Sequence, residues 1–224
     1  MHINEEHKKL SSRSQNLIHA ANHRILVLDG AMGTAIQNLN LKPEDFGGND
    51  LEGCNENLIL TRPEAIEKIH CQYLEAGCDI IETNTFGATP LVLAEYGLQA
   101  KTFEINKRAA EIARRTADKF STPTQPRFVA GSIGPTTKSL SVTGGVSFAE
   151  LVDSFRQQCL GLIAGGVDYF LIETAQDARN IKAALIGIES ACNETNTHFP
   201  IAVSGTIETM GTTLAGQTVD ALMA

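Results

Sequence analysis

Three carboxylates stand where apolar segments give way to glycine-rich or polar turns. They are Asp29 in Leu28-Asp-Gly-Ala-Met-Gly-Thr34, Glu82 in Ile81-Glu-Thr-Asn-Thr-Phe-Gly87, and Glu173 in Ile172-Glu-Thr-Ala-Gln-Asp177. Carboxylates suit a cationic group such as a ligand ammonium, and backbone N–H groups exposed at glycine-rich turns suit a carboxylate. Together they describe a pocket for an amino acid, with Asn84 beside Glu82 as a further polar candidate. The same residue types also serve as metal ligands or as a general acid/base pair. Structural roles remain open as well: Asp29 as a cap for the following turn, Glu82 as an acceptor for neighbouring backbone N–H groups. The five cysteines, Cys54, Cys71, Cys78, Cys159 and Cys192, show no Cys-x-x-Cys spacing, which argues against a zinc knuckle and against a disulfide framework. His19 and His23 lie four apart but have no third ligand nearby, so no metal site is expected there.

Carboxylates so far apart in sequence need elements whose ends converge. Five short apolar runs are candidate strands: Ile25–Leu28, Ile80–Ile81, Phe128–Ala130, Tyr169–Ile172 and Ile201–Val203. Their continuous apolar character suits strands covered on both faces, as in parallel sheets. Helical patterns lie between them. Pro63 to Ala76 has a proline in its first turn and stops at Gly77, and Phe103 to Phe120 carries Ile105, Ala109, Ile112 and Ala113 on one face. Ser147 with Glu150 forms a capping box for a helix ending at Gly165-Gly166, and Asp177 caps a fourth carrying Ile181, Ala184 and Ile188. Residues 4–21 read as a short amphipathic helix ahead of the core.

Strand, helix, strand, repeated, means right-handed βα units and a parallel sheet, hence an α/β fold. A weak internal repeat agrees: in Glu75-Ala-Gly-Cys-Asp79 and Ala164-Gly-Gly-Val-Asp168 a helix ends at glycine, an aspartate opens the strand, and Glu-Thr closes it. A (β/α)8 TIM barrel and a doubly wound sheet both fit. No Gly-x-Gly-x-x-Gly follows any strand, which favours the barrel. In either, chemistry sits at the carboxyl ends of the strands, so Asp29, Glu82 and Glu173 are expected on one rim.

Composition excludes other classes. With 18 Lys and Arg against 26 Asp and Glu the net charge is −8, and no basic stripe is present, so nucleic acid is not an expected partner. No apolar run approaches the ~20 residues of a membrane span, and the polar first 24 residues lack a signal-peptide core, so no membrane partner and a cytoplasmic home are expected.

The run from Ile25 to Thr34 resembles the opening strand of the homocysteine-binding domain of cobalamin-dependent methionine synthase, in the homocysteine S-methyltransferase family. So do Gly53-Cys-Asn-Glu-Asn57, Arg62-Pro-Glu64, Glu75-Ala-Gly77 with Asp79 to Phe86, Val129-Ala-Gly131 with Gly134-Pro-Thr136, Leu171-Ile-Glu-Thr174 and Ser204-Gly-Thr206. The matches run in order from about Arg24 to the last residues. Their closeness favours the cobalamin-dependent enzymes over the stand-alone homocysteine methyltransferases of the same fold. The resemblance implies a (β/α)8 barrel on which zinc holds the homocysteine thiol as thiolate to take a methyl group from methylcobalamin, ultimately from methyltetrahydrofolate. It implies that Asp29, the backbone of Gly30, Ala31 and Met32, and Glu173 position the amino-acid end of homocysteine, with Glu82 and Asn84 lining the same mouth. No residue is singled out as catalytic.

The family's zinc ligands are three cysteines, in a Gly-x-Asn-Cys and a Gly-Gly-Cys-Cys-Gly-Thr motif, and neither motif is in this sequence. The expectation is therefore a helical extension over residues 1–24 and, over 25–224, the first five βα units of a barrel whose zinc cysteines lie beyond Ala224. Cobalamin- and folate-binding modules are expected as partners in a full-length enzyme. Five of eight strands leave a barrel open, and each large apolar side chain left in water forfeits roughly 1.5–3 kcal/mol. The chain alone is thus expected to be inactive and either poorly folded or dependent on a partner surface. Two other readings stay open: a non-catalytic fragment that pairs with a second chain, and a homocysteine methyltransferase using another donor.

Overall fold

The computed structural model describes residues 10–223. The first helix, α1, runs Ser12–His23, with Ser11 Oγ accepting the Ser14 N–H at 3.0 Å. It starts later than expected, because this cap stops the helix from extending back to Leu10; expected residues 4–9 lie outside the described residues. A short helix α2, Met32–Gln37, follows the first glycine turn. The crossover pattern then begins: α3 Pro63–Glu75, β1 Ile80–Glu82, α4 Thr102–Phe120, β2 Phe128–Ile133, α5 Phe148–Gly165, β3 Tyr169–Ala175, α6 Ala178–Thr195 and β4 Ile201–Gly205, with α7 at Val219–Met223. The start signals act as expected. Pro63 opens α3, the Ser147–Glu150 capping box opens α5, and the Asp177 side chain accepts the Arg179 N–H ahead of α6.

The strands form one parallel sheet in the order β1-β2-β3-β4. Ile80 pairs with Phe128, Ala130 with Tyr169, and Phe170 with Ile201. An order that steps in one direction, with α4, α5 and α6 packed side by side on one face, is barrel topology; a doubly wound sheet would reverse direction. Side chains alternate between the two faces. Ile81, Val129, Ile133, Phe170 and Ile172 meet the helices, burying Phe155, Leu162 and Ile188. Ile80, Phe128, Ala130, Tyr169 and Leu171 form a separate cluster on the opposite face, which α1 covers with Leu17.

One expected strand is absent. Ile25–Leu28 makes only an isolated parallel bridge, Leu28 to Ile80. The Asp79 carboxylate takes the Val27 N–H at 2.9 Å, and the Val27 carbonyl accepts from both Asp79 and Ile80. A side chain in place of a backbone acceptor, and one carbonyl serving two donors, break the even spacing of a parallel ladder. Ile25 is left 89% exposed.

Candidate functional site

The face that buries Ile80, Phe128 and Tyr169 turns polar at the carboxyl ends of the strands. Continuing the period of two along β1, β2 and β3 brings Glu82, Ser132 and Glu173 onto that face, one layer above the apolar cluster. Thr174, with φ 55°, lies in the left-handed region, and the β3–β4 register shifts between Ile172 and Ala175. A β-branched residue there is strained, and a bulge re-aims the side chains beside it; this one sits directly after Glu173. The Ser132 hydroxyl donates to Glu173 Oε1. Asp29, held by its own N–H on the Ile80 carbonyl at 2.9 Å, accepts the Glu82 N–H with both carboxylate oxygens at 3.1 Å.

A cavity of about 370 Å³ opens over this layer. Gly30, Ala31, Met32 and Gly33 form one side, Glu82, Thr83, Asn84 and Phe86 another, with Ser132 and Glu173 closing it. All the expected site residues thus meet, Asp29 standing beside the wall rather than in it. The cap role open to Asp29 is not the one observed, since α2 begins without a side-chain cap. The backbone-acceptor role open to Glu82 is also not observed: no backbone N–H among the described residues donates to its carboxyl, which lies near enough to Glu173 for that charge to raise it. Among the described residues no lysine, arginine or histidine forms an ion pair with any of the three.

Carboxyls crowded without a counter-charge hold protons. Burial pushes Asp29 up to about 7, against the Glu82 N–H that favours its ionised form. Burial also raises Glu82, and the charges of Glu173 and Asp29 raise it further. The Tyr169 phenol below is driven up by burial and then by the same three carboxylates.

A hydrogen-bonded frame behind the carboxylates was not legible as part of the site. The Ser132 N–H donates to Thr83 Oγ1 at 3.0 Å, Thr85 Oγ1 donates to the Ser132 carbonyl at 2.8 Å, and fully buried Gln158 of α5 donates to the Thr85 carbonyl at 2.8 Å. Ser132 carries a usable signal, because strand alternation from Glu82 and Glu173 places it between them. Gln158 carries none, since its reach depends on how α5 crosses the sheet. Phe86 roofs one side, and its carbonyl accepts the Gly134 N–H at 3.0 Å. A Cβ at Gly134 would fall 2.7 Å from the Phe86 ring, so only glycine allows that approach.

No three His, Cys, Asp or Glu side chains among the described residues are grouped to hold a metal. The cysteines are scattered: Cys54 is buried in one apolar cluster, Cys78 and Cys159 in another, and Cys71 lies on α3. These residues do not fit a zinc centre. No helix among the described residues is long and apolar enough to cross a membrane.

Comparison with known proteins agrees with this geometry. The sequence model of the family described as Homocysteine S-methyltransferase matches residues 26–224. Methionine synthase of Mycobacterium leprae is 42% identical over 209 residues, and that of Mycobacterium tuberculosis 40% over 208; each match covers 93% of this chain and 17% of the relative. The chain therefore spans about a sixth of the length of these curated relatives. Among solved structures, the metallated form of the homocysteine methyltransferase MmuM from Escherichia coli superposes with a TM-score of 0.73 at 20% identity, covering 94% of this chain and 72% of that one. Its apo form gives 0.67 at 21% identity, covering 91% and 69%. At such identities the likeness establishes the fold.

Proposed function

Because the chain belongs to the homocysteine S-methyltransferase family, we propose that it is the homocysteine-binding part of a methionine synthase. The observation that carries this reading is the cavity beside Asp29, Glu82 and Glu173, whose carboxyls have no cationic partner among the described residues. Crowded carboxylates without counter-charge favour a ligand that brings one, and an amino-acid ammonium does so. Gly30, Ala31 and Met32 line the same cavity at a glycine-rich turn, whose backbone N–H groups suit the ligand carboxylate. In this reading Asp29, with Gly30, Ala31 and Met32, and Glu173 hold the amino-acid end, while Glu82 and Asn84 line the mouth. In the same reading the chain from residue 25 onward is the barrel portion, and α1 is an extension ahead of it.

The reaction served is methyl transfer to the homocysteine sulfur, giving methionine. Methylcobalamin, recharged from methyltetrahydrofolate, would donate the methyl group from cobalamin- and folate-binding modules outside this chain. The described residues do not fit zinc, and the chain's part is to bind and orient the amino acid. The cytoplasm is the proposed compartment, supported by the unbridged thiols of Cys54, Cys71, Cys78 and Cys159.

Calorimetric titration with L-homocysteine tests the reading. Wild type binds, and Glu173→Gln weakens binding by about ten- to a hundredfold, since a hydrogen bond to a charged group is worth ~1.5–3 kcal/mol. Equal affinity of the two proteins would remove Glu173 from the substrate site.

A further inference from the structure

The motif Gly53-Cys-Asn-Glu-Asn57 carries no part in the binding chemistry above, yet its structure leads to the cavity. Asn55–Asn57 form a single turn of 3-10 helix, and two contacts leave that turn for the loop after β1. The Asn84 amide donates to the Asn55 carbonyl at 2.8 Å, and Glu56 Oε1 accepts the Gly87 N–H at 2.7 Å. Asn84 is one of these anchor points and Phe86 lies between them, and both line the cavity. The contact to Glu56 is close: a Cβ on Gly87 would stand 2.8 Å from its Oε1. Burial raises the Glu56 carboxyl, and no cation pairs with it among the described residues. The partly buried Glu56 side chain sets its Oε1 on the Gly87 N–H with no cation among the described residues to offset its desolvation, a placement that costs stability.

We propose that Glu56 is a positioning residue for the ligand: through the Gly87 N–H it holds the Asn84–Gly87 loop so that Asn84 and Phe86 shape the amino-acid cavity. The assignment deepens the homocysteine reading and rests on it. Glu56 touches no ligand, and its effect passes through the loop. The required property is a carboxyl or amide oxygen at one position, because acceptance of the N–H needs no charge.

The test pairs a ligand-free signature with an affinity. The Gly87 amide proton, donating at short range, is expected downfield of ordinary glycine amides in the nitrogen–proton correlation spectrum. It is expected to stay there in Glu56→Gln and to move upfield in Glu56→Ala and in Glu56→Asp, whose shorter arm withdraws the oxygen. L-homocysteine affinity is expected to fall about tenfold in Glu56→Ala and Glu56→Asp and to remain within about twofold in Glu56→Gln, as for loss and retention of the one hydrogen bond that holds the loop. Should the alanine variant not fold, the aspartate and glutamine pair decides. An Asp variant with wild-type affinity, or a Gln variant as weak as it, overturns the positioning role. Failure of the two readings is distinguishable. Wild type that binds no homocysteine overturns the amino-acid site and this proposal with it, whereas binding lost in Glu173→Gln but unchanged in Glu56→Asp overturns the Glu56 assignment alone.

Discussion

Asp29 and Glu82 lie with Glu173 in one polar layer, and the protons of Asp29 and Glu82 link ligand binding to pH. Asp29 titrates near 7 in the folded chain, against ~4 for an unfolded aspartate. Between those values the folded state binds more protons than the unfolded one. Its stabilising contribution is full below pH ~4 and is lost as pH rises through about 7, and Glu82, raised by burial and by Glu173, acts in the same direction. Without ligand, thermal stability is expected to decline from pH 5 to pH 8 at constant ionic strength. Affinity for an ammonium is expected to run oppositely, rising over the same interval as the carboxyls ionise and release their protons. L-methionine, with the same ammonium and carboxylate but no thiol, isolates this effect in calorimetry. Affinity that is flat or falling between pH 6 and 8 would show that the carboxylates do not meet the ammonium. Sequence patterning exposed the three carboxylates individually, because each ends an apolar run. Why Asp29 and Glu82 hold protons was not legible, because it depends on burial and on the nearness of Glu173 in the folded chain.

At the scale of elements, the two aspartates of the internal repeat do opposite work from the carboxylates at the other end of the same strands. Asp168, fully buried, accepts from Arg13 of α1 at 2.8 Å, from Arg114 of α4 at 2.7 Å and from the Val129 N–H of β2 at 2.8 Å, while the Ser14 hydroxyl donates to its carbonyl. Asp79 repeats the scheme with Arg24, Arg127 and the Val27 N–H, and the Arg24 guanidinium holds its carboxyl below the usual range. Strand starts are thus tied by paired charges, and strand ends carry unpaired ones. Removing one partner from a buried ion pair strands the other charges. Asp168→Ala is expected to lower the unfolding free energy by about 3–5 kcal/mol in denaturant titration. A loss under about 1 kcal/mol would mean that Arg13 and Arg114 stay solvated, and that the tie between α1, α4 and the sheet is nominal. The repeated aspartates were visible in the sequence; their partners were not, since Arg13 lies 155 residues from Asp168.

Among the described residues the sheet is covered by α4, α5 and α6 on one face and partly by α1 on the other, and apolar side chains stay exposed along both edges. Ile25 and Val27 are exposed along one edge, and Ile201 and Val203 of β4 along the other, at 39% and 46%. Exposed apolar edge segments with free backbone groups are templates for association. Each apolar side chain buried recovers roughly 1.5–3 kcal/mol, so a few are comparable with a domain's net stability of ~5–15 kcal/mol. Sedimentation velocity is expected to show concentration-dependent association of the isolated chain at micromolar concentrations. A monomer across that range, with one sharp reversible thermal transition, would contradict it.

The sequence by itself determined the parallel α/β architecture, the placement of α3 to α6 and the family, because caps, prolines, glycines and apolar runs act within a few residues of where they are written. It overstated one strand, Ile25–Leu28, because an apolar run cannot reveal that the Asp79 side chain will take the Val27 N–H. The tertiary structure alone decided which polar groups work together. Ser132 between the glutamates, Gln158 beneath the loop and Glu56 behind Gly87 depend on strand register, on helix crossing and on a close approach that the absence of a Cβ permits. Those are distances between segments far apart in the chain, and only the packed core sets them.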